Sequence, residues 1–253
     1  MTVTPRKQLG QHFLIDENIL GVIERLAALE PTDVVLEVGP GLGILTRHLA
    51  ARVAHVHAVE VDRRLEASLR GLSGVDVHWA DALRLDIPAL VPPPRKLVAN
   101  LPYNIATPLV VESLPLAQLD HWCVMVQREV ADRFFAEPRT KAYGAVSVLV
   151  QLATERTGLH PVSRDVFRPR PNVESALVAF RRTAAGASPE VKAIVVGAFA
   201  HRRKTLANSL SLSGLVSREA AVEALGELGR QADSRAEALA PREFVALAEV
   251  LTR

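Results

Sequence analysis

The sequence contains a single cysteine, Cys123, and this scarcity excludes an internal disulfide. Long apolar runs are also missing, since no segment approaches the roughly 18 consecutive apolar residues of a membrane-spanning helix. Residues 1–7 are not followed by the apolar stretch of a secretory signal. There is no evident nucleophile triad and no histidine–cysteine cluster with zinc spacing. These absences predict a cytoplasmic protein that has no membrane contact, binds no metal and keeps Cys123 as a buried strand thiol.

The net charge of the chain is small, but its charged residues are unevenly distributed. The 253 residues carry a net charge of +2, and 49% of them are apolar, enough for one large domain with or without a smaller one. Between His160 and Lys204, nine arginines and lysines face three acidic residues, so this segment carries +6 and the remainder −4. A basic segment on an acidic body is typical of a protein that binds a polyanion. A solvated arginine-rich face is the alternative.

Short apolar segments alternate with helix-like segments through most of the first 135 residues. Asp16 is expected to cap the first helix, whose apolar residues recur at helical spacing. The predicted strands are 34–36, 55–59, 75–79, 97–99 and 122–126, and the predicted helices between and after them are 44–51, 63–69, 108–114 and 129–135. This alternation predicts an α/β fold with a mainly parallel, doubly wound sheet.

The pattern changes after about Gly158. Residues 162–171 are rich in proline and arginine, 175–181 alternate as a strand, and only helices are predicted from Pro189 onward, at 191–200, 206–210, 218–228 and 242–251. The stretch 183–188 has the composition of a linker. We therefore predict two domains, an α/β domain over 1–183 and a small all-α domain over 184–253.

A glycine-rich loop follows the first predicted strand of the sheet. Gly39, Gly41 and Gly43 allow the backbone to approach a ligand closely. A dinucleotide-binding fingerprint would have a small residue three positions after Gly41, and Ile44 stands there instead. The loop therefore favours an adenosine-bearing ligand other than NAD.

Polar side chains follow the next three predicted strands. Glu60, 17 residues after Gly43, is placed to accept hydrogen bonds from two ribose hydroxyls. Asp81 is placed to accept from an adenine amino group, and Asn100 ends the fourth strand. A lone strand-end carboxylate is usually a solvated group, but the glycine loop and these three polar positions, at four successive strand ends along one sheet edge, predict a binding site. A site for S-adenosylmethionine would use the glycine loop and all three of these polar positions.

The segment from Leu97 to Tyr103 combines a buried strand, the amide Asn100, a rigid turn at Pro102 and the flat ring of Tyr103. This combination suits the capture of a planar base that carries an exocyclic amine. A strand followed by a proline turn, with Tyr103 covering the core, is the alternative.

Taken together, the motifs resemble those of the ribosomal RNA adenine N6-dimethyltransferases, and most closely the bacterial small-subunit branch, which dimethylates two adjacent adenines. The matching segments cover nearly the whole chain: 11–14, 37–43, 60–62, 81–82, 100–103, 167–175 and 199–208. The family commonly has asparagine where this chain has His12. The resemblance implies a Rossmann-like class I methyltransferase domain followed by a helical domain that binds RNA. It also implies a monomer that acts on small-subunit ribosomal RNA or on the immature 30S particle.

The resemblance also implies site residues. Those for S-adenosylmethionine are His12, Leu14, Gly39, Gly41, Glu60, Val61, Asp81, Ala82 and Asn100. Those for catalysis are Asn100, Leu101, Pro102, Tyr103 and Phe167. In this scheme the Asn100 side chain and the Leu101 carbonyl accept from the adenine amine, and the rings of Tyr103 and Phe167 stack on the base. For Phe167 the alternative is a core aromatic that fixes the proline-rich segment 162–171, here called the proline loop, to the sheet.

The implied RNA-binding residues are Arg168, Arg170, Arg202, Arg203 and Lys204, all within the basic segment. A solvated helix start is the alternative for the last three. Three other functions remain possible at this stage. They are the large-subunit branch that confers macrolide resistance, an RNA-binding assembly factor without catalysis, and an adenine-N6 methyltransferase of DNA.

Overall fold

The computed structural model describes residues 4–253, except for the side chain of Lys7. The strands in chain order are β1 (Phe13–Leu14), β2 (Val34–Val38), β3 (His55–Glu60), β4 (Val75–Trp79), β5 (Lys96–Asn100), β6 (His121–Gln127), β7 (Thr154–Val162), β8 (Phe167–Arg168) and β9 (Ser175–Arg182). The α-helices are α1 (Asn18–Leu26), α2 (Ile44–Ala50), α3 (Glu66–Leu69), α4 (Ala106–Ser113), α5 (Arg128–Phe134), α6 (Ala145–Ala153), α7 (Pro189–Ala200), α8 (Leu206–Leu212), α9 (Arg218–Glu227) and α10 (Pro241–Leu251). None of these helices is both long and apolar enough to cross a bilayer.

The main sheet has seven strands in the order β4-β3-β2-β5-β6-β9-β7. Strands β4, β3, β2, β5 and β6 are parallel, and β9 is antiparallel to β6. The predicted mainly parallel, doubly wound sheet is thus confirmed. The chain crosses from one side of β2 to the other between β4 and β5, so β2 and β5 form the switch point at which such sheets bind ligands.

The chain divides into two compact units. Unit 1 comprises residues through 131 together with 155–182, and unit 2 comprises 132–154 together with 183–253. The central strands of unit 1 are apolar because helices cover both faces of a parallel sheet. Its core includes Cys123, which is 1% exposed, and burial raises the pKa of this thiol to about 12. The expected buried thiol is therefore present.

Unit 2 is helical and is built around aromatic side chains. The Phe199 ring lies 5.8 Å from that of Tyr143 and 5.7 Å from that of Phe244. The buried Tyr143 hydroxyl donates to the Leu239 carbonyl at 2.8 Å, which satisfies its polar atom inside the core. These contacts place residues 132–154 with the C-terminal helices, whereas the sequence assigned them to the domain over 1–183. The boundary predicted near 183 coincides with the start of the second segment of unit 2.

Two local predictions differ from the structure, and two elements were not predicted. Helix α1 begins at Asn18, and the Asp16 carboxylate instead accepts from the Asn18 amide at 2.8 Å in the turn before it. The predicted helix over 63–69 is a 3₁₀ turn at 63–65 followed by α3. Helix α6 was not predicted because its short, valine-rich apolar sequence fits a strand as well as a helix, and β7 was missed because Gly158 and Pro161 lower its strand propensity.

Candidate functional site

A cavity of about 220 Å³ lies at the carboxyl ends of β2, β3, β4 and β5 in unit 1. The strand-end residues predicted from the sequence all line it, and so do residues of the N-terminal segment before α1. The predicted residues that line the cavity are His12, Leu14, Gly39, Gly41, Glu60, Val61, Asp81, Ala82, Asn100, Leu101, Pro102 and Tyr103. The structure therefore brings together twelve positions that are spread over some ninety residues of sequence.

The glycine-rich loop runs close to other parts of the cavity wall. Gly39 and Gly41 have φ angles of +73° and +58°, which favour glycine. A Cβ atom on Gly41 would lie 2.9 Å from Cδ1 of Phe13, and one on Gly39 would lie 3.1 Å from Cδ of Pro102. Both glycines are therefore needed for the loop to pass this close to the N-terminal segment and to the turn after β5.

Glu60 holds the end of β3 and the glycine loop together. Its Oε1 accepts from the amides of Val61 and Asp62 at 2.9 and 2.8 Å, and its Oε2 accepts from the Gly41 amide at 3.2 Å. Burial raises the pKa of this carboxyl, and these three amides oppose the rise because they favour the charged form. The carboxylate is thus fixed against the cavity with acceptor capacity left for a ligand hydroxyl.

Glu37 is a cavity residue that the sequence analysis did not single out. It is the penultimate residue of β2, two positions before Gly39, is 1% exposed, and has its Oε2 buried without a hydrogen-bond partner in the described part of the chain. Burial, together with the nearby Glu60 charge, raises the pKa of Glu37 to about 8, and the neighbouring Thr46 hydroxyl opposes the rise. The sequence feature that could have identified Glu37 is its acidic side chain two residues before Gly39, in a strand that is otherwise apolar.

Asn100 is oriented by the N-terminal segment. Its Nδ2 donates to the His12 carbonyl at 3.1 Å. Only the nitrogen of an amide side chain can donate to a carbonyl, so this bond fixes which way the amide points and leaves Oδ1 as an acceptor. This is the orientation that the predicted contact with an adenine amine requires.

Tyr103 is held beside Asn100 by its own contacts. Its hydroxyl lies 2.5 Å from Oγ of Ser175, and burial raises the pKa of this phenol. Its ring centroid lies 5.4 Å from that of His12, and Nδ1 of His12 donates to the Pro169 carbonyl at 2.8 Å. The ring of His12 therefore lies between the cavity and the proline loop, and the backbone carbonyl of His12 is what contacts Asn100.

The remaining cofactor candidates differ in exposure. Val61 is 56% exposed at the cavity rim, whereas Leu14 and Ala82 are buried in the wall. Asp81 is exposed, accepts from the Leu83 amide at 3.0 Å and lies 3.8 Å from Nε of Arg84. The second carboxylate oxygen of Asp81 therefore has only a weak ion pair with Arg84, which a hydrogen-bond donor of a ligand can replace.

Phe167 does not line the cavity. It is 3% exposed and belongs to the core cluster that also contains Leu14 and Val162. As part of β8 it pairs with Leu14 of β1. The expected stacking role has no support in this arrangement, which fits the alternative of a core aromatic that fixes the proline loop.

The five candidate RNA-binding cations fall into two groups, Arg168 and Arg170 in unit 1 and Arg202, Arg203 and Lys204 in unit 2. Arg168 is exposed, and Arg170 lies 3.2 Å from the Asp165 carboxylate. Arg202 donates to the carbonyls of Lys141 and Tyr143 at 3.2 and 3.0 Å within unit 2.

Arg202 therefore has a structural role in its own unit. Arg203 and Lys204 are exposed, and their side chains have no ion-pair partner among residues 4–253. These two are the cations of this cluster that remain available to an external anion.

Three histidines that show no metal-binding spacing in the sequence lie together. His55 and His57 of β3 lie next to Asp76 and His78 of β4, and the ring of His57 is 4.6 Å from that of His55 and 5.2 Å from that of His78. The zinc-spacing criterion missed them because they lie on two adjacent strands about twenty residues apart.

The sheet order, the glycine loop at the switch point and the carboxylate that follows β3 define a class I methyltransferase. A family model described as ribosomal RNA adenine dimethylase matches residues 3–252. "Ribosomal RNA small subunit methyltransferase A" of Rubrobacter xylanophilus is 49% identical, over 97% of this chain and 95% of that protein. The chain therefore belongs to the ribosomal RNA adenine dimethylase family, whose methyl donor is S-adenosylmethionine.

Solved structures agree with this assignment. A dimethyladenosine transferase from Plasmodium falciparum superposes with a TM-score of 0.76 over 93% of this chain and 96% of that chain, at 23% identity, which supports the fold. The 23S rRNA methyltransferase ErmE superposes with a TM-score of 0.65 over 95% of this chain and 100% of that chain, at 28% identity.

Proposed function

We propose that this protein dimethylates the N6 amines of two adjacent adenosines in small-subunit ribosomal RNA. The observation that carries the proposal is the orientation of Asn100, whose Oδ1 is left as an acceptor at the switch point of a methyltransferase sheet. The choice of the small subunit is supported by the relative from Rubrobacter xylanophilus, which is 49% identical, against 28% for ErmE. We further propose that the protein acts as a cytoplasmic monomer on the immature 30S particle.

The cavity fits S-adenosylmethionine in two respects. The buried Glu37 carboxyl has an oxygen without a partner, which suits a cofactor that carries hydrogen-bond donors. Gly41 brings the loop against Phe13 with no room for a Cβ atom, so the backbone forms a close wall. In the proposed complex Glu60 accepts from the ribose hydroxyls, Asp81 accepts from the adenine amine, and Val61 and Ala82 pack beside the adenine.

When bound, the cofactor supplies a methyl group that its sulfonium already makes electrophilic. The protein therefore contributes geometry and electrostatics and needs no metal or strong base for this step. The adenine amine is a weak nucleophile because its lone pair is delocalised into the ring. In the proposal, Oδ1 of Asn100 and the Leu101 carbonyl accept from this amine and restore a localised lone pair.

These contacts strengthen as positive charge develops on the nitrogen, which raises the rate and not only the affinity. The second transfer starts from a monomethylated amine with a single N–H. Asn100 and Leu101 therefore cannot both be required acceptors in that round.

Tyr103 presents the aromatic face for the flipped-out base in this proposal. Its hydroxyl contacts Oγ of Ser175, so the position of the outer end of the ring is set before the base arrives. Pro102 limits the backbone of the same turn. We assign no stacking to Phe167, because its ring is enclosed in the core.

RNA phosphates are the proposed partners of the exposed cations Arg168 and Arg170 in unit 1, and of Arg203 and Lys204 in unit 2. Arg202 is left out of this set because its Nη2 donates to two backbone carbonyls and lies 3.7 Å from the Glu237 carboxylate within unit 2.

The test is transfer of labelled methyl from S-adenosylmethionine to immature small subunits, to large-subunit RNA and to duplex DNA. We expect four methyl groups per small subunit. In the variant Asn100→Ala, kcat should fall by at least about a hundredfold, the scale of losing one transition-state contact, while affinities for RNA and cofactor stay within a few-fold.

Asn18→Ala is the matched control, because Asn18 is exposed at the start of α1 and does not line the cavity. Preferential labelling of large-subunit RNA or DNA would refute the proposed substrate. A rise in KM at unchanged kcat in Asn100→Ala would make Asn100 a binding residue and refute the mechanism.

A further inference from the structure

Four potential metal ligands share one face of the edge strand β4 and its neighbour β3. His55 and His57 are two residues apart on β3, so their side chains point to the same face. The parallel register pairs His57 with Asp76 and Val59 with His78, which puts Asp76 and His78 on that face as well. His55 and Asp76 lie near the amino ends of their strands, and β3 extends about 16 Å to Glu60 at the cofactor edge.

The protonation of His57 is fixed by its surroundings. Its Nε2 lies 2.7 Å from the carbonyl oxygen of Pro92, which can only accept a hydrogen bond, so Nε2 carries the proton. Its Nδ1 therefore carries a lone pair, which faces Nε2 of His78 at 3.0 Å. A ring N–H bound to a backbone carbonyl is the arrangement that orients metal-ligating histidines in proteins.

His55 contributes a second nitrogen that is not satisfied. Its Nε2 is buried and lies 3.1 Å from Oδ2 of Asp76, yet no atom among residues 4–253 meets it in hydrogen-bond geometry. One ligand atom from each of His55, His57 and Asp76 lies within 4.8 Å of the others. Ligands of a tetrahedral zinc ion at about 2.0–2.1 Å are roughly 3.3 Å apart, so movements of about 1 Å close the set.

We propose that His55, His57 and Asp76, with His78 beside them, form a binding site for a divalent transition-metal ion such as Zn²⁺. Imidazole nitrogens with one carboxylate form the donor set that suits zinc over magnesium or calcium. The bound ion would fasten the edge strand β4 to β3 and has no part in methyl transfer.

The experiment titrates tag-free, chelator-treated full-length protein with Zn²⁺ in a calorimeter and with Co²⁺ in a spectrophotometer. We expect one equivalent to bind, a Co²⁺ spectrum typical of nitrogen and oxygen ligands, and a rise in melting temperature with added Zn²⁺. Asp76→Asn and His55→Ala should each weaken binding at least about tenfold and abolish the thermal shift.

Asp76 is more than half exposed, so its replacement leaves the core intact, and circular dichroism of each variant checks this. The matched controls are Asp86→Asn and His160→Ala, which remove the same groups elsewhere in unit 1 and should bind Zn²⁺ as the wild type does. Substoichiometric binding, or equal affinity in all variants, would show that the four side chains only pair with one another and would overturn the proposal.

Discussion

Glu37 offers the sharpest test of the cavity electrostatics. Its carboxyl is buried with an unpartnered oxygen, and its pKa is about 8 in place of the ordinary 4.5. As the pH rises above 4.5, the unfolded chain releases this proton while the folded protein keeps it. Folding therefore becomes less favourable with rising pH until about pH 8, where the folded carboxyl also ionises.

The size of the stability loss follows from the interval between the pKa values of Glu37 in the unfolded and the folded protein. Each pH unit between the two pKa values removes about 1.4 kcal/mol of stability, so the loss at pH 7 is about 3 kcal/mol. Glutamine has the size of the protonated acid and does not ionise. The variant Glu37→Gln should therefore gain stability relative to the wild type by about 1.4 kcal/mol per pH unit between pH 5 and pH 8, in the cofactor-free protein.

Urea unfolding at pH 5, 6, 7 and 8 measures this difference. Both tryptophans, Trp79 and Trp122, lie in unit 1, so their fluorescence reports the unit that contains Glu37. Glu249→Gln, an exposed glutamate on α10, is the control and should show no such slope. A stability difference between wild type and Glu37→Gln that does not change with pH would refute the assignment of a protonated, buried carboxyl.

Two further predictions concern the ligands. Glu60→Gln should weaken S-adenosylmethionine binding at least about tenfold in calorimetry, because a neutral amide accepts more weakly than a carboxylate, and unchanged affinity would refute the ribose assignment. Replacing Arg203 and Lys204 with alanine should make the slope of log K for RNA against log salt shallower by about 1.4–1.8 in filter binding, whereas Arg242→Ala should leave it unchanged. An unchanged slope in the double variant would assign RNA docking to another surface.

The parts of the site that sequence predicted are those set by local pattern and strand direction. Glu60, Asp81 and Asn100 each follow a short apolar strand, and the carboxyl ends of parallel strands meet at one edge. Their grouping around one cavity therefore followed from the alternation of strands and helices. The glycine loop was predictable for the same reason, since it directly follows β2.

The parts that sequence did not predict depend on packing and register. Phe167 can stack on a base or enter the core, and only the pairing of β8 with β1 places it in the core. Arg202 reads as a free cation, but the carbonyl oxygens that bind it come from residues about sixty positions earlier. His57 and His78 meet because of the register between β3 and β4, which no spacing along the chain reveals.

The two-residue pairing of β1 with β8 has a mechanical consequence. Phe13 and Leu14 belong to the cavity wall, and their partners Arg168 and Phe167 lie in the proline loop. The Ile15 amide extends the ladder by donating to the Val166 carbonyl at 2.9 Å, and His12 adds its bond to Pro169. Residues 13–15 are thus bonded to the proline loop through the backbone, and His12 links that loop to Asn100 through its ring and its carbonyl. Any ligand that displaces the proline loop therefore displaces the wall of the cavity and the partner of the Asn100 amide with it.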